Sequence, residues 1–391
     1  MGIFSRPKKD ALIAVFDITS SSVGGLLSLH HPDNLPEILS ASRFPTDFFP
    51  DFDFQKYQRS FHRTFERNIN YLRKFMPKGR EKPDLAVIVF SSPYYISQTK
   101  IVRFSKPKPF EITKHLLEVI TDDEINSLKR KWQKEHAQLK AEVNIETIEH
   151  ERFKVNLNGY PVLQPIGKRV QNLELPIFMS LGIKAVHDKL QECILHSFGQ
   201  TPVRFQSFPF VAFQALKDII DITKGLLLID IGGEITDLIL IRNSILEETI
   251  SFPLGENFLI RRIASVFHFS LEESSALLNQ YTRGDLHDET SDKVRKVIED
   301  ASGRWCQFLN ESLKGISESS LAPRSLLFIG GKAAFALKDF APCVKEQTFT
   351  SQLLLPEAFK KHFIFRKGFS EDKDILLMIS ALYVDKLFLN L

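Results

Sequence analysis

One pattern occurs twice in this chain and limits what it can fold into: an apolar run that ends in aspartate, a polar turn, and a second apolar run. Ala11-Leu-Ile-Ala-Val-Phe16 leads into Asp17-Ile-Thr-Ser-Ser-Ser-Val23, and the apolar character resumes from Val23 to Leu29. About two hundred residues later Leu226–Ile229 leads into Asp230-Ile-Gly-Gly-Glu-Ile-Thr-Asp237, followed by Leu238–Ile241. A short, continuously apolar run is the mark of a strand covered on both faces. Helical periodicities separate these strands, so the chain reads as α/β layers in two similar halves, with a ligand cleft between them.

The helical segments are explicit. Tyr57, Phe61, Phe65, Ile69 and Leu72 recur at helical spacing from Phe54 until Pro77, and Met76–Pro83 reads as a linker before a strand at Leu85–Phe90. A polar helix is expected over Thr121–Glu142 with Thr121 as its cap, its charges forming a solvated face. Further helices are expected at Gly182–His196, Ser270–Tyr281, Thr290–Leu313 and Lys373–Phe388, and a strand at Ser325–Ile329. The Thr290–Leu313 helix buries Val294, Val297, Ile298, Ala301, Trp305 and Phe308 at three-and-four spacing.

Bulk properties narrow the class. A length of 391 residues exceeds what one core usually serves. The formal charge of +3, from 51 basic and 48 acidic residues, is too balanced to suggest nucleic-acid binding. Cys193, Cys306 and Cys343 are widely spaced and form neither a disulfide framework nor a metal pattern, which fits a reducing cytoplasm. No apolar run is long enough to span a bilayer. The basic start, Met1 to Asp10, lacks the apolar core of a signal peptide, though Ile3, Phe4, Arg6, Lys8 and Lys9 form a small patch with weak affinity for lipid.

Three turns suit a nucleotide. In the first, Asp17 faces a metal through its water shell, while Thr19, Ser20, Ser21 and Ser22 offer hydroxyls and N–H groups to phosphate; a Ser-rich hairpin capped by Asp17 is the bland alternative. In the second, Asp230 repeats that role, Gly232 and Gly233 let the backbone approach a polyphosphate, and Thr236 opens the next strand. In the third, Leu326–Ile329 runs into Gly330-Gly331-Lys-Ala333, where paired glycines before a helix admit a base or phosphate.

Taken in order, these turns resemble the two phosphate motifs and the adenosine motif of the actin, heat-shock chaperone and sugar kinase superfamily. The start of the chain, Leu157-Asn-Gly-Tyr160, Pro165-Ile-Gly167, Leu173-Glu-Leu175 and Leu254-Gly-Glu-Asn257 with Leu271-Glu-Glu273 look like the branch that holds the pilus-assembly protein PilM and the cell-division protein FtsA. The resemblance implies an actin-like ATPase fold of two duplicated RNase H-like halves with an inserted strand–helix–strand–strand subdomain. The expected division is 1–84 and 181–205 for the first half, 85–180 for the inserted interaction subdomain and 206–391 for the second half, its closing helix returning to the first. It also implies ATP and Mg²⁺ as ligands, with Asp17 and Asp230 on the metal side and Gly255 and Glu273 joining the nucleotide residues.

The chain departs from that branch at several positions. Thr19 stands where glycine is usual, and Gly24 where the pilus branch commonly has lysine. In Ser207-Phe208-Pro209, Phe208 takes the place of an acid that positions the attacking water; Gln214 is the candidate substitute. Slow turnover at most is therefore expected. The leading expectation is an ATP-binding scaffold or switch in pilus assembly or cell division, at the cytoplasmic face of a membrane. Its partners would be further copies of itself, as dimer or filament, and a cytoplasmic segment of a membrane protein; nucleic acid is not expected. The end at Phe388-Leu-Asn-Leu391, without an amphipathic anchor, favours the pilus arrangement. A sugar-type kinase on the same fold and a non-hydrolysing adaptor are the alternatives. The kinase would need a third cleft carboxylate beside a Gly-rich turn, and none is read there.

Overall fold

A computed structural model describes residues 9–48, 54–136, 143–317, 323–339, 349–366 and 374–389. Met1 to Lys8, Cys343, Lys373 and the last two residues, on which some expectations rest, lie outside the described residues.

Two sheets carry the duplication. The first contains β1 (Ala11–Ile18), β2 (Ser22–His31), β3 (Asn34–Pro45), β4 (Leu85–Phe90), β10 (Val203–Ser207) and β16 (Ile364–Phe365), in the order β10-β4-β1-β2-β3-β16. The second contains β11 (Leu226–Ile231), β12 (Thr236–Arg242), β13 (Ile245–Phe252), β14 (Ser325–Gly330) and β15 (Thr350–Leu353), in the order β13-β12-β11-β14-β15. In both, an antiparallel three-strand meander is extended on its first strand by two parallel strands: β1 pairs antiparallel with β2 and parallel with β4, as β11 does with β12 and β14. Asp17 and Asp230 thus end equivalent strands.

Alternation along β1 explains its uninterrupted apolar sequence. Leu12, Ala14, Phe16 and Ile18 pack with Phe61, Phe65 and Ile69 of α1 (Phe54–Arg73) and with Val186, Leu190 and Ile194 of α3 (Lys184–Phe198). Ile13 and Val15 face the opposite way, into a core shared with the second sheet. That shared core is filled by α4 (Phe208–Leu216) and α9 (Ile375–Leu389). Both helices are apolar on nearly every side, as a helix enclosed on all sides must be. The closing helix packs on β1, β2 and α4, and β16 joins the first sheet beside β3, so the end of the chain returns to the first half. The outer face of the second sheet is covered by α5 (Glu256–Phe267), α7 (Asp288–Ser317) and α8 (Lys332–Leu337), with Trp305 fully buried.

The inserted region forms a third sheet from β5 (Tyr95–Glu111), β6 (Ile145–Arg152) and β9 (Arg169–Ile183), with α2 (Lys114–Glu135) after β5. The strand–helix–strand–strand order is β5, α2, β6, β9, with a short hairpin of β7 (Val155–Leu157) and β8 (Tyr160–Val162) before β9. Its core is its own, around Leu117, Leu173, Leu175 and Ile177.

Two sequence expectations change. Leu85–Phe90 forms the expected strand, but it pairs with β1 and β10 in the first sheet rather than opening the inserted subdomain expected over 85–180; the separate sheet begins at Tyr95. A strand buried on both faces does not reveal from its sequence which sheet receives it. The polar helix starts earlier than expected: Thr113 caps it, its side chain accepting from the Leu116 N–H, and Thr121 lies buried in mid-helix donating to the Leu117 carbonyl. The acidic run after Thr121 imitates a first turn but sits at about the third.

Candidate functional site

The three turns meet at one place. The β1–β2 turn and the β11–β12 turn interlock: a Cβ on Gly233 would overlap Ser21 Cβ, so only glycine admits this approach. Ser20 Oγ accepts from the Glu234 N–H across the same contact at 2.9 Å. Gly232 and Gly233 turn their carbonyl oxygens to the first turn of α5, accepting from the Glu256 and Asn257 N–H groups at 2.8 Å each. Gly255 is the residue before that helix, and its α-carbon lies so close that a Cβ would sit 2.5 Å from the Gly233 oxygen. The third turn closes the ring, Gly330 approaching the Ile231 carbonyl with a positive φ of 125°.

A cavity of about 350 Å³ opens between the turns, lined by Thr19, Ser21, Ser22, Gly232, Gly233, Gly330 and Gly331, with Arg43, Glu256 and Asp374. Asp17 and Asp230 lie buried beneath the lining, at 0% and 3% exposure. Each has its Oδ1 enclosed with no hydrogen-bond partner among the described residues. Burial raises the Asp230 carboxyl well above its ordinary range, and the charges of Asp237 and Asp17 raise it further. Two buried carboxylates, one close enough to raise the other and each with an unanswered oxygen, fit a hydrated divalent cation, whose charge would relieve both. Among the described residues no cluster of three or more His, Cys, Asp or Glu side chains forms a ligand set.

Other groups at the site are occupied by the chain itself. Thr19 Oγ1 accepts from the Ser21 N–H at 3.3 Å and the Ser22 N–H at 3.1 Å, so this threonine engages two donors suited to phosphate. Asp17 Oδ2 takes a hydrogen bond from Arg43 Nη2 at 2.5 Å. Glu256 Oε2 accepts from the Ala333 N–H at 3.3 Å, holding the start of α8.

Other expected site residues lie elsewhere or are engaged. Gln214 is outside this cavity. It lines a larger one, about 700 Å³, between the inserted sheet and the segment after α4, where its Oε1 accepts from Lys217 Nζ at 2.5 Å. Glu273 belongs to a capping box with Ser270 at the start of α6 (Leu271–Arg283), its Oε2 accepting from the Ser270 N–H, and does not line the cavity. Thr236 is buried, donating to the Leu254 carbonyl at 2.6 Å and accepting from the Trp305 indole at 3.3 Å. Ala333 is buried behind the third turn. Asp237 ties the halves together: Ser92 Oγ donates to it at 2.8 Å and Tyr95 Oη at 3.3 Å.

The sequence reasoning missed Arg43, Glu256 and Asp374. Glu256 directly follows Gly255 and was legible as a cap acid; Arg43 and Asp374 meet across 331 positions of sequence, a separation no local signal spans.

No family model and no curated protein matches the sequence. Among solved structures, the protein in a structure of the PilM–PilN type IV pilus biogenesis complex overlays with a TM-score of 0.60 at 15% identity, covering 99% of this chain and 98% of that one. The chain has the actin-like ATPase fold. The overlay spans both halves and the inserted sheet of that fold, so the likeness to PilM is one of whole architecture. Two weaker overlays, with the ethanolamine utilization protein EutJ from Carboxydothermus hydrogenoformans (TM-score 0.48, 10% identity, 97% and 90% covered) and an actin-like ATPase fold protein of unknown function from Bacteroides thetaiotaomicron (0.41, 11%, 98% and 99%), add nothing to the argument. In this actin-like fold the cavity between the turns lies where the two halves face each other.

Proposed function

We propose that this protein is an actin-fold scaffold that binds ATP with Mg²⁺ between its halves and turns it over slowly or not at all, in a pilus-type assembly. The observation that carries the proposal is the pair of buried carboxylates, Asp17 and Asp230, at equivalent strand ends, each with an oxygen that no group among the described residues satisfies. Mg²⁺ would supply the positive charge that lets a polyphosphate approach four acids, these two together with Glu256 and Asp374. Gly232, Gly233, Gly330 and Gly331 leave room for the phosphates and nucleoside, and Ser21 and Ser22 offer their hydroxyls.

Slow turnover is the reading that the resemblance and the cavities support together. The resemblance expects an acid that orients water at the position of Phe208, which is fully buried in the shared core, and Gln214 lines another cavity. The acids lining the cavity have partners of their own: Glu256 holds the Ala333 N–H, while Asp374 holds Arg43 and accepts from the Leu377 N–H at 3.1 Å. Among the described lining residues, then, none is placed as a general base.

The overlaid structure is a PilM–PilN complex, which supports a role in docking a second protein. The inserted sheet suits such docking, with Tyr160, Leu163 and Ile166 at 75%, 91% and 59% exposure around its hairpin. Among the described residues no helix is long and apolar enough to cross a membrane, so attachment to one would come through a partner. Calorimetric titration with Mg²⁺–ATP tests the site. The wild-type chain should bind, and Asp17→Asn with Asp230→Asn together should abolish binding while circular dichroism stays unchanged. Equal affinity in the double variant would refute the assignment.

A further inference from the structure

The cavity holds one strong cation whose origin is unusual. Asp17, Gly24 and Arg43 form a row across three adjacent strands, since Asp17 pairs with Gly24 and Gly24 with Arg43. Neighbouring strands are about 4.8 Å apart, so Arg43 must reach across a whole strand to meet Asp17. It does so over the bare backbone of Gly24: a Cβ there would lie 2.7 Å from Arg43 Nη2 and 3.0 Å from its Cζ. Backbone φ at Gly24 is not in the left-handed region, so it is the space, not the conformation, that calls for glycine. A side chain at position 24 would displace the guanidinium of Arg43 from this path and press on Leu377 Cδ2, 3.1 Å from the same Cβ.

We propose that Arg43 is the phosphate-binding cation of this cleft, delivered from β3 over the gap that Gly24 leaves in β2. Among the described residues lining the cavity it is the only basic one, facing Glu256 and Asp374 with Asp17 and Asp230 beneath. A polyanion entering such a site meets repulsion from every other charged lining group, and a bound Mg²⁺ plus Arg43 are what offset it. The guanidinium is held in place: Nε and Nη2 donate to Asp374, Nη2 to Asp17, and Nη1 to Ser22 Oγ at 2.9 Å. Burial works against its charge, but the Asp374 and Asp17 carboxylates outweigh it and keep the group ionised. Of its five N–H groups these bonds use four, leaving one on Nη1, beside Ser22. Ser22 and Arg43 both line the cavity, so that donor lies on the side a phosphate oxygen would take.

This inference rests on the nucleotide reading of the site, and the test separates the two. Four chains are titrated calorimetrically with Mg²⁺–ATP and, separately, with adenosine: wild type, Arg43→Ala, Arg43→Lys, and Arg43→Ala combined with Gly24→Lys. Arg43→Ala should weaken Mg²⁺–ATP about tenfold or more and leave adenosine unchanged, because only the phosphates meet the guanidinium. Arg43→Lys should retain part of the affinity. The combined variant should recover most of it, because lysine from position 24 then enters the space that the arginine has left. Unchanged or tighter Mg²⁺–ATP binding by Arg43→Ala would make Arg43 a plug and overturn the inference. Equal losses for ATP and adenosine would make it a structural brace and overturn it too. A wild-type chain that binds no Mg²⁺–ATP would sink the nucleotide reading itself.

Discussion

Replacing Thr19 by glycine should loosen the fold and tighten the hold on nucleotide, two effects of opposite sign from one hydroxyl. Thr19 Oγ1 accepts from the Ser21 and Ser22 N–H groups at 3.3 and 3.1 Å, within 3.0 Å of Ser22 Oγ, in a residue only 4% exposed. Thr19 Oγ1 also donates to the Ser22 carbonyl at 3.1 Å; a hydrogen bond of this kind contributes about 1 kcal/mol net, and the longest of the three less, so their loss costs about 2.5 kcal/mol. Glycine's extra freedom in the unfolded chain adds about 0.5–1 kcal/mol. The total is about 3–3.5 kcal/mol of stability, read as a lower urea midpoint with an unchanged slope. The same substitution releases both N–H groups toward the cavity and removes a Cβ from its lining. A single charge-assisted bond from either N–H to phosphate exceeds the neutral bond it replaces by about 1 kcal/mol, so Mg²⁺–ATP affinity should rise about five- to tenfold by calorimetry. A fall in both stability and affinity would refute the reasoning, because Thr19 would then be holding the turn in its binding shape rather than competing with the ligand.

Glu149 carries a second prediction. It reaches from β6 to Ser207 at the start of α4, accepting from the Ser207 N–H at 2.8 Å, and burial raises its carboxyl to about 7 despite the hydroxyls of Ser180 and Ser207. Between its ordinary value near 4.5 and about 7 the folded chain binds more protons than the unfolded one, so stability falls as pH rises through that window. At 1.36 kcal/mol per pH unit the loss is at most about 3 kcal/mol, reduced by the solvent contact the side chain keeps. Glu149→Gln should flatten the profile; a profile unchanged from the wild type's would show that the carboxyl titrates normally. Gly233→Val should prevent the two turns from interlocking, since even a Cβ overlaps Ser21, and should lower stability and abolish Mg²⁺–ATP binding together; retained affinity would remove the turn from the site. Gln214→Ala should leave ATP turnover, whatever its rate, within about twofold of wild type, and a larger fall would return that residue to the reaction.

The strands bearing Asp17 and Asp230 were legible because burial on both faces removes every polar residue from them except at their ends. The duplication was legible for the same reason, as was the closing helix, whose Leu377 to Val384 stretch is apolar on all sides. What the sequence did not display are relations set by register and by distant chain. Arg43 reads as one charge in an ordinary edge-facing pattern until Gly24 is placed beside it on β2. Leu85–Phe90 reads equally well in either of two sheets, and its central place beside β1 means that excising residues 85–180 would remove a core strand along with the inserted sheet. Thr121, followed by three acids, has the composition of a helix start but the burial of a helix middle.

The most direct measurement is the crystal structure of the full chain with Mn²⁺ and a non-hydrolysable ATP analogue, locating the metal by its anomalous signal. The account predicts one metal peak between the Asp17 and Asp230 carboxylates, in contact with them directly or through a single water, with the phosphates against Gly232–Gly233 and Arg43. A nucleotide bound in the cavity beside Gln214, or a metal peak away from both aspartates, would contradict it.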